Sequence, residues 1–157
     1  MIRKGDKRPR LERKRKKVPS PSGGQANVRG VLVQTLIALL DAVLGDSSFE
    51  WVTLEPNLPS EKFDLLWKDG KGLHAVQVKT SINPFSRKVV EDLTRQMKTK
   101  AMGEVPGAEC WLVLVGHPDK YLARISELHG VKIDVRGQTE DALIEQAAHR
   151  LHKFLDR

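Results

Sequence analysis

Two apolar stretches joined by a short polar, glycine-rich turn constrain this chain most. Lys62-Phe63-Asp64-Leu65-Leu66-Trp67 is followed by Lys68-Asp69-Gly70-Lys71-Gly72 and then by His74-Ala75-Val76-Gln77-Val78-Lys79-Thr80. Period-two alternation bounded by turn formers specifies a pair of β-strands. In the first strand Asp64 is expected opposite the face of Phe63 and Leu65. In the second, Val76 and Val78 share one face while Ala75, Gln77 and Lys79 share the other. Antiparallel pairing through that turn then brings Asp64 across from Gln77 and Lys79, because facing side chains on paired strands sit about 5 Å apart.

The segments on either side supply the other layers of a domain. A broad apolar stripe of Val28, Leu32, Leu36, Leu39, Leu40 and Val43 predicts a helix over 27–44 that stops at Gly45 and leaves Gln34 off the stripe. Phe49 to Leu54 reads as a strand that ends at Glu55. Ser86 is placed to cap a second helix reaching about Met102, with Val89, Val90, Leu93, Met97 and Ala101 at helical spacing. Cys110 to Val115 reads as a buried strand. A helix over 119–129, a short strand over 131–135 and a helix over 139–155 capped by Thr139 complete the chain. The order is helix, three strands, helix, strand, then helix, strand, helix, which is the α/β class. Trp51, Trp67 and Trp111 all fall on apolar strands and are expected in the core.

Charge divides the chain in two. Residues 1–17 hold ten Lys/Arg against Asp6 and Glu12, so that segment carries +8 and the remainder −1 of the formal +7. A like-charge block followed by Pro19-Ser20-Pro21-Ser22-Gly23-Gly24 reads as a disordered basic arm and linker over 1–24, leaving one domain over 25–157. Arg10, Arg13, Lys14, Arg15, Lys16 and Lys17 are the expected nucleic-acid contacts, with an affinity that falls steeply as salt rises.

Other classes of function are disfavoured. One cysteine, Cys110, gives no disulfide framework and suits a reducing cytoplasm. The apolar run from Val31 to Leu40 is too short to span a bilayer, and no signal peptide follows the charged N-terminus. The expectation is a cytoplasmic protein with no membrane partner. His149 and His152 are three apart but lack a third ligand, and Gly70-Lys71-Gly72 leads into a strand, unlike a phosphate loop.

An acid on one strand, then Gln77-Val78-Lys79 at the end of the next, after a first helix, resembles the PD-(D/E)XK nuclease superfamily. The Gln variant is similar to Mrr-type restriction endonucleases. Gly23-Gly24 followed by Gly30-Val31-Leu32-Val33-Gln34 also resembles the DNA endonuclease domains of bacterial anti-phage effectors. The resemblance spans roughly residues 23 to 116. It implies a restriction-endonuclease-like core of helix, three-strand meander, helix and strand, with an added C-terminal helix, strand and helix.

The same resemblance implies a chemistry. Asp64, the side-chain carbonyl of Gln77 and the backbone carbonyl of Val78 would hold Mg²⁺ or Mn²⁺, and Lys79 would orient or help deprotonate the attacking water. Independently, phosphodiester hydrolysis calls for a hard cation held by oxygen ligands. Thr80 and Ser81 offer hydroxyls to a phosphate. Gln77 stands where many relatives carry a carboxylate, which lowers the negative charge available to the ion. Glu55 is the favoured compensating acid, ahead of Glu50 and Asp41, and Gln34 stands where relatives often place a helical Glu. The expected activity is endonucleolytic cleavage of DNA in bacterial defence or DNA processing. RNA is equivalent at the phosphate, and a homodimer and a separate sensor or motor subunit fit the fold. A nuclease-fold module that binds nucleic acid or a partner protein without cutting is the alternative.

Overall fold

The computed structural model describes residues 23–45, 48–137 and 139–156. The basic residues Arg10, Arg13, Lys14, Arg15, Lys16 and Lys17 therefore lie outside the described residues. The first helix, α1, runs from Gly23 to Ile37, so Gly23 and Gly24 belong to a helix and not to the expected linker. Glycine disfavours helical backbone without forbidding it. A π-helical segment, Ala38–Val43, continues α1 and closes with the Leu44 N–H donating to the Leu39 carbonyl at 2.8 Å. A side chain at Gly45 would collide with the Asp41 carbonyl, which makes glycine the natural stop.

Six strands form one mixed sheet: β1 (Phe49–Leu54), β2 (Leu65–Asp69), β3 (Gly72–Phe85), β4 (Glu109–Pro118), β5 (Glu127–Leu128) and β6 (Val131–Arg136). Their spatial order is β1-β2-β3-β4-β6-β5. The first three form an antiparallel meander, β3 pairs parallel with β4, β4 parallel with β6, and β5 antiparallel with β6. The hairpin turn is tighter than the sequence predicts. Asp69 pairs with Gly72, and the Asp69 Oδ1 accepts the N–H groups of Lys71 at 2.8 Å and Gly72 at 3.2 Å, so only Gly70 and Lys71 remain as the turn.

Parallel pairing of β3 and β4 requires a crossover, and α2 (Arg87–Glu104) provides it. Ser86 caps α2 as expected, its Oγ accepting the Val89 N–H at 3.4 Å. A third helix, α3 (Glu140–Leu155), opens at Thr139, whose Oγ1 accepts the Ala142 N–H at 3.3 Å. The sheet is covered on both faces. Val33, Ile37, Leu40 and Leu143 pack on Leu65, Trp67, Val76, Val78, Val113 and Val115 on one side. On the other, Val90, Met97 and Ala101 of α2 pack on Ala75, Leu112, Leu114 and Ile133.

Further expectations change. The helix predicted over 119–129 is a 3₁₀ turn, Leu122–Arg124, followed by β5. There the Asp119 Oδ1 takes the Leu122 N–H at 2.7 Å, and His129 and Gly130, at φ 53° and 74°, reverse the chain into β6. The C-terminal addition is accordingly strand, strand, helix. Phe63 and Leu65 contribute to opposite clusters instead of one face, because regular pairing of β2 starts only at Leu65. Trp51 is 40 % exposed, since β1 is an edge strand, and Val89 is 50 % exposed on the outer side of α2. No helix among the described residues is long and apolar enough to cross a membrane.

Candidate functional site

Asp64 occupies the break between the loop after β1 and the start of β2. Its N–H donates to the Val76 carbonyl at 2.8 Å, and its carbonyl accepts the Glu55 N–H at 2.7 Å. The β2–β3 ladder begins at Leu65 and Val76, which leaves the Val78 N–H without a strand partner there. The Asp64 Oδ2 takes that N–H at 2.6 Å. The acid is thereby fixed against the backbone between Gln77 and Lys79.

The electrostatics show which charges gather around it. Burial pushes the Asp64 carboxyl above its ordinary value of 3.8, while the Val78 N–H and the Lys79 charge pull it down and Glu55 pushes it up again. Lys79 and Glu55 are therefore both within electrostatic reach of Asp64. Gln77 is 4 % exposed, and its Oε1 has no hydrogen-bond partner among the described residues. The Gln34 Oε1, on half-buried α1 surface, is likewise buried without a partner.

Asp64 thus bonds the amide of Val78, with Lys79 within electrostatic reach and Gln77 one residue from the bonded amide. Val78 meets Asp64 through its N–H, whereas the sequence reading used its carbonyl. Thr80 is exposed. The Ser81 hydroxyl is engaged locally, donating to the Asn83 carbonyl at 2.6 Å and accepting the Asn83 N–H at 3.1 Å. Glu50 is drawn away to Lys68 at 2.9 Å, and Asp41 to Arg136 at 2.5 Å.

Glu61 is the residue the sequence reading missed. A cavity of about 460 Å³ is lined by Glu55, Glu61 and Asp64 together with Pro56, Asn57, Leu58 and Phe63. Glu55 and Glu61 both hold left-handed backbone, at φ 46° and 51°, within the loop between β1 and β2. The two prolines, Pro56 and Pro59, between a pair of glutamates were the available signal. Among the described residues no group of three or more His, Cys, Asp or Glu is placed to hold a metal ion. An ion at Asp64 would depend on amide and backbone oxygens as well as carboxylate, and the unpartnered Gln77 Oε1 is an oxygen of the right kind. Comparison of the chain with protein-family models, curated proteins and solved structures returned no match.

Proposed function

We propose that this protein is a metal-dependent endonuclease that hydrolyses DNA phosphodiester bonds on a restriction-endonuclease-like core, in bacterial defence or DNA processing. The observation that carries the reading is the 2.6 Å hydrogen bond from the Val78 N–H to the Asp64 carboxylate, which joins the strand-opening acid to the Gln77-Val78-Lys79 segment. The arrangement of helix, antiparallel meander, crossover helix and parallel strand supports it.

In this reading Asp64 and the Gln77 side-chain carbonyl hold Mg²⁺ or Mn²⁺, with Glu55 supplying further negative charge. The ion, when bound, neutralises phosphoryl oxygens and makes a water more acidic. Lys79 places a cation beside Asp64, where it can orient the attacking water and offset charge that builds on the phosphate. Partial burial of Asp64 lowers the local dielectric and strengthens each of these interactions.

A second reading, a module that binds nucleic acid without cutting, is favoured by Gln77 replacing an acid and by the lack of a three-ligand group among the described residues. Incubation of supercoiled and linear plasmid with Mg²⁺ or Mn²⁺ separates the two. The endonuclease reading expects EDTA-sensitive nicking that disappears in Lys79→Ala with DNA binding retained. Salt-sensitive binding with no cleavage under any metal selects the second reading.

A further inference from the structure

Helix α3 carries two apolar stripes, and the fold uses one of them. Leu143 and Ala147 pack in the core beneath the helix. Ile144, Ala148, Leu151 and Leu155 are all exposed and follow one another at intervals of four, three and four residues. That spacing is the seam by which one helix packs along another. At 3.6 residues per turn it lies about a quarter turn from the buried stripe.

Helix α1 leaves a similar surface open. Val33 and Ile37 pack in the core, whereas Val28, Val31 and Leu32 are exposed, Val28 at 70 %. The two helices run side by side in the same direction. At one end Arg29 Nε donates to Glu140 Oε1 at 2.7 Å, and at the other Arg150 Nη2 donates to the Leu44 carbonyl at 2.6 Å. Large apolar patches with polar rims mark association surfaces.

The chemistry of this surface selects its occupant. Residues 1–22 offer Met1, Ile2, Leu11 and Val18 as large aliphatic side chains among ten Lys/Arg, a poor match for an apolar layer. A second copy of the chain matches it well. Arg29 is the one charge on α1 and is already paired, so no charge opposes the approach of another α1. On α3 the acids Glu140, Asp141 and Glu145 stand in the first half, and His149, Arg150, His152 and Lys153 in the second. This division suits the helix dipole. Beside an antiparallel copy of α3 it also sets each acidic half against a basic one. The two-helix layer measures roughly 25 by 20 Å, of the same order as the about 800 Å² per partner that a stable pair buries.

We propose that the outer surface of α1 and α3 is the interface of a homodimer. Two copies meet about a two-fold axis with their α3 helices antiparallel, and four helices share one apolar layer. The interface stands apart from the nuclease reading, so Asp64→Asn should dimerise as the wild type does.

Sedimentation equilibrium of the full chain tests this, in salt high enough to strip nucleic acid from the basic segment. A dimer with a dissociation constant below about 10 μM is expected. Leu151→Glu and Val31→Glu alter side chains that are already exposed. Each should keep the wild-type circular dichroism and melting temperature while raising the dissociation constant at least about tenfold. Glu145→Lys should also weaken the dimer, and adding His152→Glu should restore it. These two positions are seven apart and do not meet within one helix, so restoration reports contact between antiparallel copies. A monomer at every concentration up to about 100 μM, which would leave the surface to residues 1–22 or to a foreign partner, overturns the proposal. So does a dimer unchanged in folded Leu151→Glu, or one that His152→Glu fails to restore.

Discussion

The Asp64 carboxylate accepts the Val78 N–H at 2.6 Å, so the acid at the start of β2 is tied to the backbone between Gln77 and Lys79. The bond does two things at once. It satisfies an amide that the strand ladder leaves over, and it fixes one oxygen of Asp64 while the other remains for a ligand.

Acid and base should act on Asp64 in a defined direction. Its folded carboxyl titrates above 3.8 because of burial, so the folded state holds this proton more tightly than the unfolded chain. Its contribution to stability is then present below 3.8 and is lost as pH rises through the higher folded value. Urea unfolding across this range should show wild type losing stability relative to Asp64→Asn as pH rises. The acid limb of cleavage should also lie above the ordinary aspartate value, since the ionised form holds the cation.

Gln77 separates stability from function. A buried amide oxygen without a partner costs about 1–3 kcal/mol, so Gln77→Leu should raise the melting temperature while abolishing cleavage. Gln77→Glu should do the reverse, lowering stability but reducing the Mg²⁺ concentration needed for half-maximal cleavage. Equal metal requirements in Gln77→Glu and wild type would remove Gln77 from the metal site.

Asp69 holds the hairpin. It accepts the Lys71 and Gly72 N–H groups and partners His74 while only 7 % exposed. Asp69→Ala strands these groups, and chemical denaturation should register a loss of roughly 2–4 kcal/mol.

Arg136 links the π-helical segment after α1 to the sheet. Its Nη2 reaches Asp41 at 2.5 Å and Asp134 at 2.7 Å. Removing a partner from a largely buried pair leaves an uncompensated charge, so Arg136→Ala should cost roughly 3 kcal/mol. Burial pushes the Asp41 carboxyl upward, Arg136 opposing it. The double variant Arg136→Ala with Asp41→Ala should therefore recover part of the loss in the same unfolding assay.

The sequence carried the elements whose cause is local. The alternation around Val76 and Val78, the Ser86 and Thr139 caps and Gly45 each have a short-range physical reason, and each stands in the structure. What escaped it depends on distant partners. Nothing local in 119–129 reveals that Ser126 will accept the Ile133 N–H and draw this stretch into an edge strand. Trp51 is 40 % exposed on β1, beyond which no strand lies among the described residues, a property of the sheet and not of its own sequence. At the candidate site, the pairing of Asp64 with the Gln77 to Lys79 segment was legible from strand periodicity. Glu61 was not, because it reaches the cavity through a left-handed loop whose path alternation does not encode.

Asp64→Asn separates a metal-holding acid from a structural one, with cleavage of end-labelled linear duplex in Mg²⁺ measured beside thermal unfolding of the same preparation. The asparagine retains an oxygen for the Val78 N–H but not the charge. A melting temperature at or above that of wild type is expected, because burial disfavours the ionised acid, together with loss of all metal-dependent cleavage. Wild-type cleavage by a normally folded Asp64→Asn protein would contradict it and reduce Asp64 to a structural acceptor.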